Sequence, residues 1–225
     1  MPVRSRCRRR LPWCADVRDY EAWHRGYDDP ASSLSWRLGR VRHYLHEALD
    51  ECAGPVRIVS ACAGDGRDVV GVLRERDDAD RVSATLIELH PAIAEAAADA
   101  ARAAGLGGVA VRTADAGSTD AYAGAVPADV VLLVGIFGNI TDADIERTIA
   151  AIPTLCAPAA TVVWSRAPRG QGNARLRTWF AEAGFAELDY AEHEQAGDRT
   201  GLGVTRFVGG PVPLPAGRRL FTFVR

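Results

Sequence analysis

The sequence predicts an α/β protein with a mostly parallel sheet, helices on both faces and an antiparallel C-terminal ending. After Pro55, short apolar runs alternate with helical stretches, which is typical of parallel strands joined by helical crossovers. The run Val130–Val134 is apolar at every position, as expected of a strand covered on both faces. From Glu187 onwards the helical stretches stop, and only strand-like runs with Gly/Pro-rich turns remain.

The region before the sheet predicts two helices. The pair Asp29-Pro30 separates a first helix, Asp16 to Gly26, from a second helix, Ser32 to about Cys52, and Gly54-Pro55 stops the second. The second helix has apolar residues at helical spacing, which indicates a face packed on the core. These residues are Val41, Tyr44, Leu45, Ala48 and Leu49.

The parallel strands and their crossover helices follow in alternation. The predicted strands are Arg57–Ala61, Ala84–Leu89, Val109–Thr113, Asp129–Ile136 and Thr161–Ser165. The predicted helices are Gly66–Arg76, Pro91–Ala104, Asp142–Leu155 and Asn173–Ala183, whereas the link Ser118–Ala125 has room for only a turn or two. Pro91 suits a first helical position, and Gly105 suits the left-handed residue after a helix. The antiparallel ending is predicted to comprise Glu187–Glu192, Val204–Val208 and Arg219–Val224.

Length and composition limit the function classes. The chain has 225 residues, enough for one domain with a substantial core, and its net charge of -2 argues against a nucleic acid partner. The five cysteines lack metal-ligand spacing, which favours a reduced, cytoplasmic protein without a metal site. No run reaches the roughly 18 apolar residues of a membrane span, so no membrane association is expected. Residues 1–15 are basic and are expected to form a disordered tail.

Candidate ligand-binding residues follow successive strands. Gly64 and Gly66 follow the first strand, Glu88 ends the second, and Asp115 follows the third. In a parallel sheet these positions meet at one edge, where ligands bind. Glycines let a ligand approach the backbone, and a carboxylate can accept both hydroxyls of a ribose. Each residue alone could equally form a tight turn, a helix cap or an ion pair, but the series predicts a nucleoside-containing cofactor.

The sequence favours a nucleoside cofactor without a phosphate chain over a dinucleotide or a nucleoside triphosphate. Val69 stands where a dinucleotide fingerprint has its third glycine, and a phosphate loop needs a lysine that the sequence lacks. Asp65 and Asp68 at the turn would also repel a phosphate. A nicotinamide-dependent oxidoreductase is therefore a weak alternative.

Residues 57–68, Glu88, Asp115 and the fourth strand resemble the cofactor motifs of class I S-adenosylmethionine-dependent methyltransferases. The resemblance extends over about Val56 to Arg225 and implies a Rossmann-like sheet of seven strands. Residues 55–225 would then be the methyltransferase domain, and residues 16–54 an N-terminal helical lid. The resemblance also implies S-adenosylmethionine as cofactor and S-adenosylhomocysteine as product.

The resemblance assigns roles to the residues at the strand ends. Glu88, beside Leu89, would hold the ribose hydroxyls, and Asp115, beside Ala116, the adenine amino group. Residues after the fourth strand would line the pocket next to the methyl group, namely Gly135, Ile136 and Phe137. Loop residues after the first strand would contact the methionine part, namely Ser60, Ala61, Cys62, Gly64, Asp65, Gly66 and Asp68.

Two positions depart from the family pattern. Ser60 stands where an acid is common, and Cys62 where glycine is common. The cofactor's ammonium group therefore lacks its usual acid, and the hypothesis is that Asp65 or Asp68 replaces it.

The predicted function is methyl transfer to a small-molecule acceptor by in-line displacement, with an oxygen or nitrogen acceptor left open. His24 and Tyr27, in an aromatic-rich N-terminal region, and Asn139 after the fourth strand are the candidate catalytic residues. The aromatic residues could equally pack the N-terminal helices onto the sheet. The alternative function is a cofactor-binding protein without transferase activity, acting as a sensor or partner subunit. Monomer and homodimer both stay open.

Overall fold

The computed structural model describes residue 27 and residues 29–167, 173–193 and 200–224. The predicted first helix, the basic tail and His24 lie outside these residues. The helices are α1 (Ser33–Asp50), α2 (Val69–Leu73), α3 (Pro91–Ala103), α4 (Asp142–Ala151) and α5 (Ala174–Glu182). The strands are β1 (Val56–Ala61), β2 (Val82–Glu88), β3 (Val109–Thr113), β4 (Ala128–Leu133), β5 (Cys156–Arg166), β6 (Phe185–Glu192) and β7 (Gly201–Phe207).

The strands form one seven-stranded sheet in the order β3-β2-β1-β4-β5-β7-β6. Strands β1 to β5 pair in parallel, and β7 pairs antiparallel with both β5 and β6. The predicted fold class is confirmed. The strand order reverses between β1 and β4, so the carboxyl ends of these strands flank the crevice where ligands bind in such sheets.

Local sequence explains where the helices begin and end. The Oγ of Ser32 accepts a hydrogen bond from the N–H of Ser35 and so caps α1. Thr141 caps α4 in the same way through Asp144. Pro91 occupies the first turn of α3, and Gly105 follows that helix with a φ of +70°.

Apolar side chains cover the sheet on both faces. On one face, α1 to α3 pack on the sheet through buried residues such as Leu45, Val69 and Leu86. On the other face, α4 packs through Ile145 and Ile149. Helix α5 packs through Phe180, which stacks on Trp164 at 5.4 Å and meets Phe185 edge-on. Among the described residues, no helix is both long and apolar enough to cross a membrane.

The prediction of a strand at Arg219–Val224 was wrong. This segment forms only an isolated antiparallel bridge, between Arg219 and Ser118, and then runs beside the loops that follow β3 and β4. Strand β7 is already paired on both edges, so the sheet offers the segment no place beside it. Strand β4 also ends at Leu133, earlier than predicted, because Gly135 takes a φ of +78°.

The outer edge strand β6 contains an irregularity. Its pairing with β7 shifts register between Glu187 and Asp189. The intervening Leu188 is 51% exposed, although it belongs to a strand. The charged residues on either side of it face solvent at the edge of the sheet.

Candidate functional site

Two cavities meet at the carboxyl ends of β1, β2, β3 and β4, and both are lined by Cys62. We call them the inner and the outer cavity. The inner cavity has a volume of about 130 Å³ and is lined by Tyr27, Arg37, Leu38, Val41, Ser60, Ala61, Cys62, Ala63, Gly64, Asp65, Arg67, Asp68, Val134 and Gly135. The outer cavity has a volume of about 530 Å³ and is lined by Cys62, Glu88, Leu89, His90, Pro91, Asp115, Ala116 and Phe223.

The loop after β1 depends on left-handed backbone at three positions. Gly64 and Gly66 have φ values of +59° and +71°, and Cys62 has a φ of +54° without being glycine. A Cβ at Gly66 would lie 2.9 Å from the Cδ1 of Leu86, so glycine there lets the loop lie close to β2. Left-handed backbone at Cys62 explains why glycine suits this position.

Glu88 joins the loops that follow β1 and β2. Its Oε2 accepts a hydrogen bond from the N–H of Gly64 at 3.0 Å, and its Oε1 accepts one from the N–H of His90 at 2.9 Å. An ionised carboxylate has about four acceptor sites, and these two bonds use half of them. The other two remain for donors in the outer cavity, where Leu89 also lies with an exposed side chain.

Asp115 lines the outer cavity together with Glu88 and is held on both oxygens. Its Oδ1 accepts a hydrogen bond from the N–H of Gly117 at 2.8 Å, and its Oδ2 forms an ion pair with Arg219 at 2.5 Å. The neighbouring Ala116 is buried, and its carbonyl accepts a hydrogen bond from the Tyr122 hydroxyl. Burial raises the pKa of Tyr122, so this phenol stays a neutral donor.

Cys62 separates the two cavities as a neutral thiol. Burial raises the pKa of the Cys62 thiol, and the nearby negative charges of Glu88 and Asp115 raise it further. Because the thiolate is the nucleophilic form, Cys62 is poorly suited to be a nucleophile. We interpret it as an apolar lining group.

The inner cavity contains charged groups of both signs. Arg67 pairs with Asp65 through Nε at 2.9 Å, and its guanidinium lies 4.1 Å above the ring of Tyr27. The Tyr27 hydroxyl accepts a hydrogen bond from Arg37 at 3.2 Å. Tyr27 is thereby fixed against the cavity by two arginines, and Asp65 is engaged by Arg67.

Asp68 is the other carboxylate of the inner cavity. Burial raises the pKa of Asp68, whereas the hydrogen bond from the N–H of Val69 and the positive charge of Arg37 lower it in part. A cationic ligand would stabilise the charged form of such a carboxylate, because the cation offsets the cost of burying the negative charge. Ser60 and Ala61, both buried in β1, line the same cavity but supply no charge.

The residues after β4 divide between the cavity and the core. Gly135 lines the inner cavity, and its N–H donates to the Ser165 Oγ at 3.0 Å. Asn139 donates a hydrogen bond from Nδ2 to the Gly135 carbonyl at 2.8 Å, which stabilises this turn. Ile136 and Phe137 are fully buried in the hydrophobic core and line neither cavity.

Sequence reasoning missed several lining residues, among them Arg37 and Phe223, and it missed Arg219 as the ion-pair partner of Asp115. Arg37 lies on α1, whose apolar stripe indicated only a packing face. Arg219 and Phe223 belong to the C-terminal segment that was predicted to be a strand. The mixture of charged and aromatic residues in that segment was the only available signal. Among the described residues, no group of three or more His, Cys, Asp or Glu side chains is arranged to hold a metal ion.

Comparisons with known proteins give matches in structure but none in sequence. No family model and no curated protein sequence matches the chain. The fold is similar to magnesium protoporphyrin IX methyltransferase from Synechocystis PCC 6803, with a TM-score of 0.65, 13% identity and coverage of 84% of this chain and 91% of that chain. An O-methyltransferase family protein from Burkholderia thailandensis gives a TM-score of 0.60, 16% identity and coverage of 86% and 62%.

A protein of RNA processing shares the same architecture. The fibrillarin pre-rRNA processing protein of Methanococcus jannaschii gives a TM-score of 0.55, 17% identity and coverage of 68% of this chain and 67% of that chain. Such low identities carry information about the fold but not about the acceptor. From the strand order, the glycine loop and these similarities, the chain has the fold of the class I S-adenosylmethionine-dependent methyltransferases.

Proposed function

We propose that this protein binds S-adenosylmethionine across the two cavities and transfers its methyl group to a small-molecule acceptor. The observation that carries the proposal is the pair of cavities that meet at Cys62, one with charges of both signs and the other with two carboxylates and apolar walls. A methionine tail carries an ammonium and a carboxylate, and adenosine is a flat base on a diol. The chemistry of each cavity therefore fits one half of the same molecule.

In the inner cavity, Asp68 would bind the ammonium group and Arg37 the carboxylate. Asp65 is already engaged by Arg67, which makes Asp68 the better replacement for the acid that is absent at Ser60. Charge-assisted hydrogen bonds of this kind are roughly twice as strong as neutral ones. In the outer cavity, Glu88 would accept the ribose hydroxyls on its two remaining acceptor sites.

Catalysis on this site would come chiefly from positioning. When bound, S-adenosylmethionine supplies a methyl group on a positively charged sulfur, which makes that methyl intrinsically reactive. The chain's own contribution is to fix the turn at Gly135 through Ser165 and Asn139, and to cover the inner cavity with Tyr27. Such positioning can lower a barrier by several kcal/mol without a general base. A base is needed only for an acceptor that must lose a proton to become nucleophilic.

The acceptor is proposed to be a small molecule. The structures similar to this chain include proteins named as methyltransferases of magnesium protoporphyrin IX and as an O-methyltransferase. The composition supports this view, since a net charge of -2 gives little attraction to a nucleic acid. Oxygen and nitrogen acceptors are both compatible with positioning catalysis.

Calorimetry and labelled methyl transfer test the proposal together. Wild-type protein is titrated with S-adenosylmethionine, S-adenosylhomocysteine and NAD, and we expect it to bind the first two and not NAD. Asp68→Asn should weaken both, whereas the matched control Asp99→Asn, on the exposed face of α3, should not. Transfer of labelled methyl to a member of a small-molecule panel supports the enzyme. Binding without transfer across a broad panel favours the sensor or partner subunit instead, and absence of binding refutes both.

A further inference from the structure

The C-terminal segment Arg218–Val224 is fixed to the body of the protein beside the outer cavity. The Leu220 N–H donates to the Gly117 carbonyl at 2.8 Å, and the Val224 N–H donates to the Asn139 carbonyl at 3.0 Å. Phe221 is buried in the core between these two points. The segment thus touches the loop after β3 and the turn after β4, two of the loops that line the cavities.

Gly117 makes this close approach possible. A Cβ at that position would lie 2.4 Å from the Phe221 carbonyl oxygen and 3.0 Å from the Asp115 Oδ1. A backbone atom cannot move away as a flexible side chain can, so a larger residue would displace the segment. The loop that presents Asp115 is therefore shaped to receive the C-terminal segment.

Phe223 places an aromatic face at the mouth of the outer cavity. It is 41% exposed, and Leu89, another lining residue of the same cavity, is 59% exposed. The Phe223 ring lies 5.4 Å from the buried ring of Phe221, edge to face, which fixes its position. Two large apolar side chains exposed around one cavity leave an apolar surface that a flat heterocycle would cover.

Arg219 does not line the outer cavity but pairs with Asp115, which does. Its ion pair with the Asp115 Oδ2 offsets one of the two carboxylate charges that face the cavity, the other being Glu88. The Asp115 carboxylate accepts one hydrogen bond on each oxygen, so about two acceptor sites remain. It can therefore receive an amino group without losing Arg219.

We propose that the segment Arg218–Val224 is part of the purine subsite, with Phe223 covering one face of the base and Arg219 holding Asp115 in place for the 6-amino group. The inference rests on the proposed function and deepens it. Phe223 contacts the ligand directly, whereas Arg219 is a positioning residue that acts through Asp115. The ligand chemistry is a neutral purine that carries an exocyclic amino group.

Calorimetric titration with S-adenosylhomocysteine and with adenosine tests the role of Phe223. Base-on-aromatic stacking predicts that Phe223→Ala weakens both ligands about 5- to 150-fold. Phe223→Leu, which keeps an apolar side chain without the aromatic face, should fall between. The matched control Val224→Ala removes an exposed neighbour that does not line the cavity and should bind as wild type does. Thermal unfolding of each variant confirms that it is folded.

Purine riboside, which lacks the 6-amino group, tests the role of Arg219. Wild type should prefer adenosine to purine riboside, Arg219→Gln should lose most of that preference, and Arg219→Lys should restore part of it. A merely structural arginine would weaken both nucleosides equally. If wild type binds S-adenosylhomocysteine but Phe223→Ala binds equally well, this inference is wrong and the proposed function stands. If wild type binds none of these ligands, both are refuted.

Discussion

Replacing Glu88 by glutamine should remove ribose recognition while leaving the fold intact. The Glu88 carboxylate already accepts hydrogen bonds from Gly64 and His90, and about two acceptor sites remain for the ribose hydroxyls. A glutamine amide keeps one oxygen but turns the other acceptor into a donor. A hydrogen bond to a charged group contributes about 1.5–3 kcal/mol, so losing one should weaken S-adenosylhomocysteine binding about 10- to 150-fold.

The assay compares adenosine with 2′,3′-dideoxyadenosine by calorimetry. Wild type should prefer adenosine, and Glu88→Gln should bring the two affinities close together, because the variant loses acceptors for the hydroxyls. The variant also loses one of the two backbone hydrogen bonds, from Gly64 or from His90, so the affinity for both nucleosides should fall to some extent as well. Glu95→Gln, an exposed change on α3, serves as the matched control. If Glu88→Gln weakens both nucleosides by the same factor, Glu88 shapes the loops and does not hold the ribose. An unchanged affinity for adenosine would refute the assignment altogether.

The remaining predictions concern Asp68, Cys62 and Phe180. Burial raises the pKa of Asp68, so the affinity for S-adenosylhomocysteine should fall as the pH drops through that raised pKa. In calorimetry, Asp68→Asn should bind more weakly than wild type at neutral pH, and its affinity should lose this pH dependence. The stability of the unliganded protein depends on pH in the opposite sense, because the folded state holds the Asp68 proton more tightly than the unfolded state does. The contribution of Asp68 to the free energy of unfolding therefore declines as the pH rises from the unfolded to the folded pKa. Cys62→Gly should leave the free energy of unfolding within about 1 kcal/mol of wild type. Cys62→Val should lower it by about 1–3 kcal/mol, because a β-branched residue is strained at positive φ. Equal melting temperatures of the two variants would contradict this. Phe180→Ala should cost about 3–5 kcal/mol in denaturant unfolding, because the ring is buried against Trp164 and Phe185, and a loss below about 1 kcal/mol would show that this aromatic group does not hold α5 on the sheet.

The sequence was sufficient to predict the parallel part of the sheet and several of the residues that lie at the carboxyl ends of its strands. The alternation of apolar and helical stretches determines a parallel sheet, and parallel strands bring their carboxyl ends together. Gly64 and Glu88 could therefore be expected to meet, and the structure joins them by a hydrogen bond of 3.0 Å. The roles of these residues toward a ligand stay predictions.

Other features depended on packing that a pattern does not encode. The segment Arg219–Val224 has the composition of a strand, but β6 already occupies the free edge of β7. Ile136 and Phe137 follow β4, yet the left-handed backbone at Gly135 turns the chain, and their side chains enter the core. Arg37 could not be predicted as a lining residue, because the periodicity of α1 identifies a buried stripe and not the residues beside it.

The bulge at Leu188 affects how the sheet meets other molecules. A regular, uncharged outer strand presents a row of unpaired N–H and C=O groups that another chain can extend. In β6 the shift in register breaks that row. A second β-strand approaching this edge would meet mismatched hydrogen-bonding groups. The irregularity thus hinders edge-to-edge polymerisation through β6, the edge of the sheet opposite β3.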